Sequence, residues 1–330
     1  MQARPVTENP LYNDNRMKIG IIAMNCSHGS TITQADGAWE MNWPDTKEVA
    51  VMADRAGFEV LLPVARWKGY GGPTNFNNRT FETYNWAAAV AAVTEHSCIF
   101  STSHVPLIHP VAAAKQCATI DHISGGRFAL NVVCGWFNVG SEPKPIQKPM
   151  PPVMNAGGSE AGQVFAATQA DMNFVILKER DLEGGKAQID HLKGMAREAG
   201  RDVKSWVHVY VVCRETEKEA RDYLNHYVVD RGDYEAVNNL LQIFGMQSET
   251  LPKEVLDEFR FHFIAGHGGY PLVGTPEQIV DEIGKLSDMG VDGMLISWVD
   301  YKTECRQWID EIMPLMEQAG QRKAFSPTQI

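Results

Sequence analysis

Short apolar runs and helix-spaced patterns alternate along this chain. Residues 18–24 (KIGIIAM), 58–65 (FEVLLPVA), 97–103 (SCIFSTS) and 127–134 (RFALNVVC) read as strands in the first half. Residues 152–156, 172–178, 206–213 and 291–299 continue the series. These runs are almost continuously apolar, as expected of parallel strands covered on both faces. Helical periodicity fills most intervals. Asp45 is a candidate N-cap for a helix that stops at Gly57. An alanine-rich pattern at 81–96 predicts a buried helix, and one with proline in its first turn spans 110–124, ended by Gly125 and Gly126. Further helices are predicted from Ser159, Asp181, Thr216 and Thr275, and a final one runs to about Ala319.

Eight strands, nearly all followed by a helix, predict an α/β fold of the TIM (β/α)8 barrel class. Residues 17–330 then form one domain, with a mostly helical insertion at about 232–274 that ends in the glycine-rich AGHGGYPLVG. Residues 1–16 are polar and read as a flexible arm that packs on a partner subunit. An open doubly wound sheet is the alternative, but no GxGxxG follows the first strand.

The interval between the fourth and fifth strands breaks the pattern. From Asn131 to Gly158 the chain reads NVVCGWFNVGSEPKPIQKPMPPVMNAGG, with five prolines and no helix.

Composition narrows the function classes. The chain has 330 residues, 44% hydrophobic and 22% charged, with net charge −11. No Lys/Arg cluster offers a face to nucleic acid. No apolar run reaches the length of a membrane span, and the first sixteen residues lack a signal-peptide core. The six cysteines show no CxxC pairing and read as reduced residues of a cytoplasmic protein.

In a barrel the reactive groups stand at the C-terminal ends of the strands. Here these are Asn25 to His28, Arg66 to Lys68, Ser101 to His104, Asn131, Cys134, Asn155 to Ser159, Asn173 and Ser297. The set is rich in neutral donors and acceptors and nearly free of carboxylates. No acid pair for glycoside hydrolysis, metal-ligand spacing or GxSxG elbow is present. Such a mouth suits a polar, conjugated, anionic ligand. Gly157, Gly158 and Ser159 open a helix and are either a phosphate cradle or an ordinary capped turn. Asn131, a buried amide, either contacts a ligand or satisfies a neighbour. Thr102 is a candidate site residue or a strand former. His104 and His109 read as structural, Cys134 as lining, and Trp67, Tyr70 and Trp136 as packing or a ring cover.

VARWKGYGGPTNF, AAKQCATIDHISGGRFALNVVCGW and PPVMNAGGSEAG together resemble the bacterial-luciferase-like flavin monooxygenases, most nearly the pyrimidine monooxygenase type. The resemblance runs from about Lys18 to about Leu315. It implies a barrel that binds FMN at its mouth, reduced by a separate NAD(P)H-dependent flavin reductase, and that uses O2 to oxidise a small organic substrate. It also implies a homodimer or homotetramer. By position, Ala65 and Arg66 fall on the family's flavin-contacting loop, Asn131 near the flavin ring, and Gly158 and Ser159 on the phosphate turn. Thr102 and Asn131 fall where the nearest subgroup borders the oxygen site. A non-catalytic FMN-binding protein with a shortened barrel and a deazaflavin (F420)-dependent oxidoreductase are the alternatives.

In the family, the Gly-Trp after strand four is followed by an acidic loop, an Arg-Tyr pair, a long helix and a β-excursion. Here Gly135 and Trp136 lead almost directly to Pro143, and Gly140 stands where the acidic residue is expected. Either that segment exists in the protein outside these residues, which is the favoured expectation, or it is deleted. Deletion would bare the outer face of strands four and five, for a partner subunit to cover.

Overall fold

Eight parallel strands close on themselves in the computed structural model, which describes residues 4–133, 147–177, 181–244 and 252–326. They are β1 Lys18–Ile22, β2 Val60–Leu62, β3 Cys98–His104, β4 Phe128–Val133, β5 Val153–Asn155, β6 Met172–Val175, β7 Lys204–Cys213 and β8 Gly293–Ser297. Each pairs with its successor, and β8 returns to β1 from Gly293↔Lys18 to Ile296↔Ile21. The TIM barrel expected from the alternating pattern is the fold observed. Side chains alternate between two cores, as the pleat requires. Val60, Phe100, Ala129, Met154, Trp206 and Leu295 fill the barrel. Ile21, Leu61, Ile99, Phe128 and Ile296 face outward to the helices. Gly293 makes room for the Trp206 indole, which a Cβ would meet at 2.6 Å.

The helices are α1 Trp43–Arg55, α2 Thr83–Ala91, α3 Pro110–Ile123, α4 Glu160–Gln169, α5 Leu182–Glu198, α6 Glu217–Asn225, α7 Tyr234–Ile243, α8 Lys253–Gly266, α9 Pro276–Asp288 and α10 Tyr301–Gln307. Caps decide their starts. Asn42, not Asp45, caps α1: its side chain accepts the Asp45 N–H at 2.9 Å, and Pro44 fits the first turn, where no N–H is required. Thr216 and Thr275 each make a reciprocal capping box, with Glu219 and Gln278.

Three features differ from the sequence expectation. Tyr270–Gly274, the end of the insertion expected to be mostly helical, is a strand paired with Val209 to Cys213 of β7. The ten-residue β7 outruns the four-residue β6, and the backbone groups of its upper half need partners. Residues 4–16 lie against the barrel's N-terminal end: Leu11 is buried with Tyr12 in the inner core, and Asn9 Nδ2 donates to Gln147 Oε1 at 3.1 Å. The outer face of β4 and β5 is not bare either. Val132 and Val153 are each 3% exposed, packed with Ala170, Val105 and Phe165.

In the full sequence the β4–β5 connection is 19 residues, Cys134 to Pro152, so the short crossover belongs to the chain itself. It has to return only the length of the six-residue β4, about 20 Å at 3.3 Å per residue. Gln147 marks its arrival at the barrel floor, donating through Nε2 to Phe128 O and to Asp121 Oδ1, both at 2.6 Å. The expectations for Cys134, Trp136 and Gly140 fall outside the described residues.

Candidate functional site

Asn131 and Thr102 stand opposite each other on β4 and β3. Asn131 shares the inward parity of Ala129 and is 6% exposed. Thr102 Oγ1 donates to Pro63 O at 2.5 Å, so toward Asn131 it can only accept, which it does from Nδ2 at 3.2 Å. That orients the amide. Asn131 Oδ1 is left buried without a partner among the described residues, and so is Oδ1 of Asn173 on β6. An orphaned buried carbonyl costs about 1–3 kcal/mol and calls for an explanation. Asn155 contrasts with both: Nδ2 donates to Val132 O at 3.1 Å and Oδ1 accepts the Gly157 N–H at 2.9 Å.

Next to β4, the turn after β5 enters α4. Ser159 caps the helix, its Oγ accepting the Gly162 N–H at 3.2 Å, so the capping role foreseen for it is real. A Cβ on Gly157 would lie 2.7 Å from the Gly162 Cα, so only glycine lets the turn sit on the helix's first turn. Gly158 is exposed and faces open space. The first amides of α4 have no intrahelical acceptor and point out of the same turn.

On the β2 side, Ala65 is buried and Arg66 half-buried. Arg66 Nη1 donates to Ala65 O at 2.9 Å, its guanidinium lies 5.9 Å from the Tyr70 ring centroid, and its buried Nε has no partner among the described residues. Trp67 is 64% exposed and donates through Nε1 to His104 Nδ1 at 3.0 Å. His109 caps α3. These two histidines have the structural roles expected of them.

A cavity of about 50 Å³ opens beside Arg66, lined among others by Ile22, Ser30, Phe76, Asn77, His208 and His267. None of its lining residues is acidic. His208 Nε2 and Ser297 Oγ are 2.8 Å apart. Burial drives the His208 pKa down to about 3, and burial with the Arg66 charge holds His267 well below the ordinary range. Both imidazoles are therefore neutral at pH 7. A larger depression of about 620 Å³ lies between α1 and α10 on the barrel's flank, lined by Lys47, Glu48, Met52 and Arg306. It contains none of the strand-end residues.

The structure thus gathers Thr102 with Asn131, and Ala65 with Arg66, and sets Gly158 and Ser159 in the turn after β5, the strand next to β4. No group of three or more His, Cys, Asp or Glu side chains among the described residues could hold a metal. The five described cysteines are free, and none of the described helices is long and apolar enough to cross a membrane. His208 and His267 were not foreseen. The signal for His267 was a lone side chain inside Gly266-His267-Gly268-Gly269; for His208, a histidine inside an apolar strand.

A family model described as luciferase-like monooxygenase matches residues 17–142 and 138–293. The FMNH(2)-dependent dimethylsulfone monooxygenase of Pseudomonas putida is 27% identical over 354 residues, covering 91% of this chain and 95% of that protein. The pyrimidine monooxygenase RutA of Acinetobacter baylyi is 27% identical over 356 residues, with the same coverages. Among solved structures, DmoA from Hyphomicrobium sulfonivorans superposes with a TM-score of 0.78 at 18% identity, covering 94% of this chain and 90% of that one. The long-chain alkane monooxygenase LadA does so with a TM-score of 0.76 at 17% identity, covering 95% and 94%. These two share the fold. The 354 aligned positions cover 91% of the chain, about 300 residues, so about fifty fall in gaps of this chain. The two family matches meet at 138–142, inside the short crossover.

Proposed function

Since the chain belongs to the luciferase-like monooxygenase family, we propose that it is a flavin-dependent monooxygenase. It would take reduced FMN from a separate NAD(P)H-dependent flavin reductase and oxidise a small organic substrate with O2. The observation that carries this reading is the family match across both halves of the barrel. The dimethylsulfone relative, whose name states dependence on FMNH(2), supports the cofactor.

The residues present fit such a group. Asn131 would hold its ring through the free carbonyl, with Ala65 and Arg66 bordering it from β2. Ser159, the open face at Gly158 and the first amides of α4 would take its phosphate. Bound reduced FMN would supply the two electrons and the position at which O2 is activated. The chain's own part is to bind, orient and exclude water. Thr102 fixes the Asn131 amide, and the apolar Val64, Phe174 and Ile176 form part of the cavity wall.

The test is anaerobic titration of the purified chain with FMN, reduced FMN and reduced F420. Turnover under 18O2 follows, with FMN, NADH, a flavin reductase and a panel of small substrates. Preferential binding of reduced FMN and an 18O-labelled product are expected. Absence of binding to either form of FMN would overturn the reading, and preference for F420 would replace the cofactor.

The short crossover favours a second reading, a non-catalytic FMN-binding protein on a shortened barrel. Tight FMN binding with no labelled product across the panel would support it.

A further inference from the structure

Four consecutive residues at the end of α8, Gly266 to Gly269, include one side chain. The glycines have evident reasons. A Cβ on Gly266 would meet the Tyr210 Cβ at 2.4 Å, and one on Gly269 would lie 3.1 Å from His208 Nδ1. His267 is the anomaly. It occupies the helix C-cap with φ 49°, a left-handed conformation in which glycine is the favoured residue. Backbone strain kept at one residue points to a function of its side chain.

That side chain has a destination. The imidazole packs against Phe263, Phe76 and Phe244 with centroids 5.4, 6.1 and 6.4 Å away, and it lines the cavity beside Arg66. Its buried Nδ1 has no partner among the described residues, and neither has Arg66 Nε. Both residues, each with one buried nitrogen left without a partner, therefore line one cavity that has no acidic side chain in its wall. The half-buried Arg66 guanidinium is a charged donor in a cavity whose lining offers it no carboxylate, a place suited to an anion. About 50 Å³ is the room of one or two waters at ~30 Å³ each, enough for a small head group.

We infer that this cavity is the receptor for an oxyanion of the substrate, a small organic acid whose charged oxygens are held by Arg66 and His267. The inference rests on the proposed flavin chemistry and names its substrate class. In that reading the Arg66 main chain edges the flavin, and its Nε is left for the substrate. His208, locked to Ser297, forms the neutral wall of the receptor. The neutral state of both imidazoles keeps the site at a single positive charge, which matches a monoanion.

The experiment uses the full chain labelled with 15N and no flavin. Histidine ring and arginine Nε signals are followed during titration with acetate and, separately, with sulfate. Saturable shifts of His267 and Arg66 Nε are expected, and the anion effective at lower concentration identifies the head group. In His267→Gly, which relieves the strain, the Arg66 shift should weaken at least tenfold. FMN binding, read by flavin fluorescence, and the melting temperature should stay close to wild type. His267→Asn, which tolerates the same backbone and keeps a donor, should restore part of the affinity. Unmoved His267 signals with both anions, or an Arg66 shift retained at full strength in His267→Gly, would overturn the inference. So would a collapse of the melting temperature in both variants, which would make His267 a packing residue. Loss of FMN binding by the wild type would instead sink the flavin reading, and the two failures remain distinguishable.

Discussion

Among the described residues the Asn131 side chain makes one hydrogen bond where its amide can make several. Its stabilising value to the apo fold is therefore small, and its free carbonyl is a binding asset. Asn131→Leu should leave the urea midpoint nearly unchanged, because Thr102 keeps its bond to Pro63 O. The same change should weaken reduced FMN by about tenfold, the ~1.4 kcal/mol of one lost hydrogen bond, read by equilibrium titration. His208 gives a pH prediction. Burial pushes its folded pKa down to about 3, below the ordinary imidazole value of 6.5. Below pH 6.5 the unfolded chain takes a proton that the folded chain refuses. Stability is fully present above 6.5 and falls as pH drops from there toward 3, at up to ~1.4 kcal/mol per pH unit. Urea midpoints from about pH 7 to about pH 5.5 should fall less in His208→Gln than in the wild type.

At the scale of elements, the turn from β5 into α4 separates two glycines by role. Gly157→Ala should push α4 off the barrel, since its Cβ would lie 2.7 Å from Gly162, and should lower the melting temperature. Gly158→Ala meets open space and should melt like the wild type, yet lose FMN affinity several-fold if its backbone approaches the phosphate. Calorimetry and flavin titration on the two variants separate these effects. The segment ATIDHISGGRF proves structural in detail. Arg127 donates to the carbonyls of Ala91, Thr94, Ser97 and Ser124, tying the end of α2 to β3 and β4, and Asp121 accepts from Gln147. A motif specific enough to identify a family thus owes its residues to the barrel's construction, and the flavin-site candidates sit one strand length above it.

For the molecule as a whole, the N-terminal end of the barrel is closed by the chain's own first residues. Leu11 and Tyr12 join the inner core at the floor, with Asn9 tied to Gln147. Leu11→Ala should cost about 2–4 kcal/mol, as for other buried leucines, and shift the urea midpoint without changing flavin affinity. A residue in a flexible arm would cost nearly nothing. The eight-strand barrel was legible in the chain because each strand is a continuous apolar run and each helix carries its own period, and both are local properties. Asn131, Ser159 and Arg66 could be singled out as candidates because strand ends are where a barrel keeps its chemistry. Local pattern could not show that Val209 to Cys213 would be left needing partners and capture Tyr270–Gly274, because that depends on the unequal lengths of β6 and β7. Nor could it show which asparagine oxygens stay unpaired, or that His208 and His267 would meet beside Arg66. Hydrogen-bond satisfaction and desolvation are set by neighbours distant in sequence, 29 residues apart for Asn131 and Thr102 and 89 for His208 and Ser297, which only the closed barrel brings into contact.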